Sequence, residues 1–154
     1  MEPYVNPFRE IEGGYARFQE HFSRGLSYMR QKHPDLENSA ECFRQCLAEC
    51  PESVPARNNL GCVLYRMGSL GEAEQTLAEL VEEHPDFEAA RINLGNVLAE
   101  TGKTELAIHH FQILTEGDAP AYAWAKLYKL YTQVGLPDEA FIAIGRAVGC
   151  DSEN

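Results

Sequence analysis

The chain is poor in positive charge. It has 13 Lys and Arg against 24 Asp and Glu, a net charge of −11 over 154 residues. Binding to nucleic acid or to an anionic membrane surface needs clustered cations, so neither is expected as the main partner. Long apolar runs are also missing. No stretch approaches the roughly 20 apolar residues of a membrane-spanning helix, and no membrane insertion is expected. The opening residues, MEPYVNPFRE, lack the basic start and apolar stretch of a secretory signal. The five cysteines are an odd number and form no disulfide framework, which favours a cytoplasmic compartment.

Catalytic and cofactor patterns are missing as well. GSLGEA at 68–73 lacks the Lys-Ser/Thr ending of a phosphate loop and follows a helical stretch rather than a strand. Cys42, Cys46 and Cys50 step by four and share one helix face, but no histidine lies beside them. They read as core or partly exposed thiols rather than as a metal site. Cys62 has no activating neighbour in sequence. His109 and His110 are adjacent, so on a helix they diverge by about 100° and read as surface or interface residues. No Ser/His/Asp order and no paired-carboxylate motif is present. No enzyme activity, cofactor or metal is expected.

What the chain does have is a repeated phrase. Residues 59–68 read NLGCVLYRMG and residues 93–102 read NLGNVLAETG. With 44 % apolar residues the chain has the composition of a folded protein with its own core. Leu60 meets Leu94, Gly61 meets Gly95, Leu64 meets Leu98, Gly68 meets Gly102, Ala73 meets Ala107 and Leu77 meets Phe111, each 34 residues on. In residues 121–154, Trp124, Leu127, Tyr131, Gly135, Ala140, Ile144 and Ala147 fall at matching steps with an offset of 33. Residues 20–53 match less well, through Leu26, Phe43 and Pro51, with Ser27 at the glycine step and Ser39 at the alanine step.

The local signals are helical. Leu60, Val63, Leu64 and Met67 form one apolar stripe and Leu77, Leu80 and Val81 a second. Gly68 and Gly102 sit where helices close. Pro51 and Pro85 end the second helices, and Pro137 stands at a helix start. Gly61 and Gly95 sit inside helices, where glycine costs about 1 kcal/mol relative to alanine, which points to a close helix approach.

On these residues the chain resembles the tetratricopeptide repeat family over about residues 20–150. The resemblance implies an all-α fold, a right-handed α-solenoid of antiparallel helix pairs, with repeats at about 20–53, 54–87, 88–120 and 121–154. The fourth repeat departs at Tyr128, where the family prefers a small residue, and looser helix packing is expected there. Residues 1–19 are expected to lead into the first helix as an extended arm. MEPYVNPFREIEGG carries two prolines, a Gly pair and the apolar anchors Tyr4, Val5 and Phe8. Such an arm caps the first repeat, enters its own groove or swaps onto a second copy. At the other end the helix 137–149 lacks the polar capping helix common in the family. Exposed apolar residues such as Ile142 would then be covered by a homodimer or by another protein.

The resemblance also implies that the first helix of each pair lines a concave face. Within 20–32, 54–66, 88–100 and 121–133 lie Arg24, Arg30, Lys32, Arg57, Arg66, Arg91, Lys126 and Lys129, against only Glu20, Glu88 and Glu100. The expected inner wall is therefore basic inside an acidic chain, suited to an acidic peptide or a C-terminal carboxylate. The candidate peptide-binding residues are Arg24, Tyr28, Asn58, Asn59, Cys62, Tyr65, Arg66, Asn93, Asn96, Lys126 and Lys129. Tyr122 lies at an inward step beside them. Asparagine suits a peptide clamp because its amide both donates and accepts. Of the carboxylate clamp found in some family members, only Asn93 and Lys126 match. Asn58 stands where a Lys would be and Cys62 where an Asn would be, so the complete clamp is absent. The expected function is a non-catalytic adaptor or chaperone-like interaction module. The alternatives are a self-assembling scaffold built through the arm and the last helix, and a bacterial secretion chaperone.

Overall fold

Glycine, proline and capping side chains cut the sequence into eight helices among the described residues, with no strand among them. The computed structural model describes residues 9–116 and 120–149. The helices are α1 (Arg9–Arg30), α2 (Leu36–Glu49), α3 (Val54–Met67), α4 (Leu70–Glu83), α5 (Glu88–Glu100), α6 (Thr104–Ile113), α7 (Ala121–Val134) and α8 (Pro137–Ala147). Ser53 caps α3 by accepting from the Ala56 amide, and Pro55 sits in its first turn, where a missing N–H costs nothing. Gly68, Gly102 and Gly135 close successive first helices in the left-handed region, with φ of 81°, 77° and 77°. Behind each, the next amide reaches back to the helix: Ser69 to Leu64, Lys103 to Leu98 and Leu136 to Tyr131, all at 2.9 Å. The short turns after Gly102 and Gly135 fold α5 on α6 and α7 on α8 as antiparallel pairs.

The chain forms two compact units, residues 1–69 and 70–154. In the first, α1, α2 and α3 pack in sequence around the fully buried Phe43. Phe22 lies edge-on to Phe43 at 5.7 Å and stacks on Phe18 at 5.7 Å. In the second unit α4 through α8 pack each against the next. Leu77, Leu80, Val97, Phe111 and Leu127 are the large side chains sealed inside it.

Three sequence-level expectations change. α1 begins at Arg9, ahead of the Gly13–Gly14 pair, where an extended arm was expected. Gly14 lies beside the end of α2 at ordinary contact distance. A Cβ on Gly14 would stand 3.5 Å from the Glu49 carboxylate, which is held by a two-bond pair with Arg17 at 2.6 and 3.0 Å. Residues 1–8, with Tyr4, Val5 and Phe8, lie outside the described residues.

The second change is one of register. In the α5–α6 pair, Gly95 lies flat against Phe111, where a Cβ would come within 2.9 Å of the ring. In the α1–α2 pair the glycine under Phe43 is Gly25, not the residue at position 27, with the same 2.9 Å approach. The α1–α2 turn spans residues 31–35, two longer than the 101–103 turn between α5 and α6, and it shifts α1 by two residues. Ser39 stands where alanine was expected, and its hydroxyl donates to the Gly25 carbonyl at 2.9 Å inside the core. Met67, expected in the apolar stripe of α3, is exposed.

Candidate functional site

α5 and α7 are the first helices of neighbouring pairs in the second unit, and they bring together three residues of the expected wall. Asn96 is half-buried on α5. Its amide oxygen accepts from the Tyr122 hydroxyl of α7 at 3.0 Å. The Lys126 ammonium, one helical turn further along α7, lies 5.3 Å from the centre of the Tyr122 ring. Tyr122 itself packs edge-on against the buried Phe111 at 6.4 Å. The aromatic ring is thus fixed from below by the core, tied at its hydroxyl to α5 and topped by a cation. It keeps 43 % of its surface exposed. A Tyr and a Lys four residues apart on one helix face was the sequence signal for this cluster.

Elsewhere in this unit, Asn93 is half-buried and already has an interaction partner, and Lys129 is exposed on α7. In the first unit Asn58, Asn59, Cys62 and Tyr65 are half-buried along α3, and Arg66 is exposed, donating to the Met29 carbonyl at 3.5 Å. Asn58 also has a partner within the protein. Arg24 and Tyr28 do not continue this strip. The two-residue shift of α1 rotates them about 200° from the steps that Asn58 and Cys62 occupy. Instead Arg24 pairs with Glu20 at 3.8 Å on its own helix.

The expected basic wall is thinner than its residue count. Arg91 is 8 % exposed and is spent on structure: it donates to the Pro85 carbonyl at 2.8 Å and to His110 Nδ1 at 3.4 Å. Arg57 is turned inward, with its side chain 14 % exposed and 3.6 Å from Glu52. A guanidinium carries a long apolar stem and five donors, so it serves as well for tying a loop as for binding a ligand. His110, expected at the surface, is half-buried against Arg91. Burial, Arg91 and His109 together hold its pKa below the usual histidine value.

The cysteines have the environment of structural thiols. Burial pushes the Cys46 thiol up to about 11 and raises Cys42 and Cys62 as well, so all three are held in the neutral, weakly nucleophilic form. Among the described residues no three metal-ligating side chains converge.

Comparison with known proteins bears on both fold and family. A family model described as tetratricopeptide repeat matches residues 64–130. The human protein Tetratricopeptide repeat protein 7A is 29 % identical over 101 residues, which cover 63 % of this chain and 12 % of that protein. The chain therefore spans only a small part of that relative. Among solved structures, a crystal structure of MamA superimposes with a TM-score of 0.76 at 17 % identity, covering 96 % of this chain and 95 % of that one. MamA 41-end from Desulfovibrio magneticus RS-1 gives a TM-score of 0.77 at 16 % identity, covering 90 % of this chain and 77 % of that one. At such identities the likeness is one of fold. The 34-residue period and the helix pairs it encodes are thus similar to the tetratricopeptide repeat, whose family model matches residues 64–130.

Proposed function

We propose that the chain is a non-catalytic protein-interaction module that holds a peptide segment of a partner on the face formed by α5 and α7. The helix-pair repeat architecture supports a protein-interaction role in general. The observation that carries the specific reading is the Asn96–Tyr122–Lys126 cluster. The Tyr122 bond commits the Asn96 oxygen, so the amide NH2 is the group left to donate to a peptide carbonyl. The exposed ring offers an apolar platform, and the Lys126 ammonium above it selects a carboxylate, from an acidic side chain or a chain terminus. Asn93 and Lys129 extend the same face.

Fluorescence anisotropy with a set of acidic peptides, each with free and amidated C-termini, tests this. An Asn93→Ala/Asn96→Ala/Lys126→Ala protein is expected to lose binding. Equal binding by the triple variant rejects the α5–α7 face. A larger loss on amidation than on neutralising the acidic side chains identifies the terminal carboxylate as the feature read.

A further inference from the structure

α5 starts without a side-chain cap. Phe87 stands at its N-cap, where α3 has the hydroxyl of Ser53 and α2 the carboxylate of Asp35. An uncapped first turn leaves backbone donors without partners and frays readily. Arg91, at the end of that turn, ties it down. Its buried guanidinium reaches back to the α4–α5 turn, donating to the Pro85 carbonyl at 2.8 Å, and across to α6, donating to His110 Nδ1 at 3.4 Å. One side chain thus pins the start of α5 to the turn before it and the helix after it. Half of this pin is repeated construction. Thirty-four residues earlier Pro51 and Arg57 stand at the steps of Pro85 and Arg91, but Thr76 stands at the step of His110. The histidine is an addition to a repeated Pro–Arg pair, and it is the member that takes up a proton in the mildly acidic range.

Protonation turns the Nδ1 acceptor into a donor. Two cations then face each other at 3.4 Å in a half-buried site, with no hydrogen bond between them. His110 binds a proton less readily than an ordinary histidine, through burial first, then Arg91 and His109. By linkage, a proton on His110 favours the arrangement that Arg91 has left. Arg91 from α5 and His109 of α6 itself are the charged or titratable groups acting on His110. α7, also packed against α6, adds none among its described residues. We infer that His110 and Arg91 form a proton-operated latch on the start of α5: it holds while Nδ1 is unprotonated, and protonation lets Arg91 leave the Pro85 carbonyl and frees the first turn of the helix. Asn93, two residues beyond Arg91, is then held less firmly, so acid weakens ligand binding on the α5–α7 face. That consequence rests on the peptide reading above; the latch itself does not.

Hydrogen exchange followed by NMR reads the latch on the Phe87, Ala90 and Arg91 amides, which are bonded across the turn and the first turn of α5. From about pH 7.5 to about pH 5.5 their protection, corrected for intrinsic rates, should fall by up to about tenfold per pH unit, the limit for one proton. In dilute urea they should exchange at an unchanged rate while the Leu127 and Leu130 amides of α7 speed up, which separates a local opening from global unfolding. His110→Gln keeps an acceptor and should hold full protection at both pH values. Arg91→Met keeps an apolar stem without a donor and should show low protection at both. The latch is overturned by wild-type protection that does not change with pH, by a slope that survives His110→Gln, by full protection in Arg91→Met, or by urea dependence equal to that of α7. Acidic peptides in the anisotropy assay should bind the wild type more weakly at the lower pH and His110→Gln equally at both. An equal decline in the two proteins breaks the coupling to the ligand. Absence of peptide binding at either pH rejects the peptide face, and the exchange rates alone then decide the latch.

Discussion

The Tyr122 hydroxyl of α7 donates to the Asn96 amide oxygen of α5 at 3.0 Å, while the same ring carries the Lys126 ammonium on its face. Tyr122→Phe separates the two functions. The ring and its cation remain, and the tie to α5 is lost. A single hydrogen bond contributes about 1 kcal/mol net. Peptide binding is therefore expected to weaken by about fivefold if the tie orients Asn96. Tyr122→Ala, which also removes the platform under Lys126, should cost more. Anisotropy titrations of both variants beside Asn96→Ala measure the difference, and additive losses would show that Asn96 needs no orienting.

Gly95→Ala should destabilise the second unit. The added methyl would meet the Phe111 ring at 2.9 Å, and Phe111 is fully buried with no slack around it. Overpacking of this kind costs about 1–3 kcal/mol. Urea denaturation of Gly95→Ala, Phe111→Leu and the double variant forms a cycle, and the smaller side chain should partly relieve the alanine.

Ser53→Ala removes the side chain that caps α3 through the Ala56 amide. Ser53 is nearly buried, so water replaces the lost acceptor poorly. A loss of about 1 kcal/mol is expected, and Ser53→Asp should recover most of it. Thermal melts followed by circular dichroism suffice.

Acidification should act on the second unit through His110. Its Nδ1 faces the Arg91 guanidinium, which can only donate, so the bond exists only while that nitrogen is unprotonated. The folded-state pKa is lowered by burial first, then by Arg91 and by His109. A lowered value means the unfolded chain binds the proton more readily. Stability is then full above the unfolded histidine value of about 6.5 and falls as pH drops through the window down to the folded value. His110→Gln keeps an acceptor and should flatten that slope. Urea midpoints measured from neutral to mildly acidic pH give the answer, and a variant with the wild-type slope would assign the effect to another group.

Much of this architecture was legible in the chain because it is local. Leu60 and Leu94, Gly68 and Gly102, and the prolines after α2 and α4 set period, helix ends and pairing without reference to distant contacts. The misplacements came from quantities that are not local. Arg24 and Tyr28 were phased by counting back from Leu60, and the longer α1–α2 turn broke the count. Phasing on Gly25 as the glycine under Phe43 restores it, but only packing shows which glycine that is. Arg91 and Arg57 counted as wall cations because periodicity assigns a face, not the depth to which a long side chain folds back. The Gly13–Gly14 pair reads as a breaker in isolation and lies inside α1, whose Arg17 pairs with Glu49 at the end of α2. Asn96, Tyr122 and Lys126 were legible as neighbours because the repeat period makes α5 and α7 the first helices of adjacent pairs.

The sealed Cys46 gives the first unit its own clock. It is 0 % exposed, its thiol is pushed up to about 11, and it touches the Phe18 carbonyl of α1 at 3.6 Å. Cys50 at the end of the same helix is open to solvent. A maleimide reagent will therefore label Cys50 at once and Cys46 only when α1 lifts away from α2. The second unit has no cysteine among its described residues. With Cys42, Cys62 and Cys150 replaced by alanine, the lag between the two labels thus times the lifting of α1 from α2.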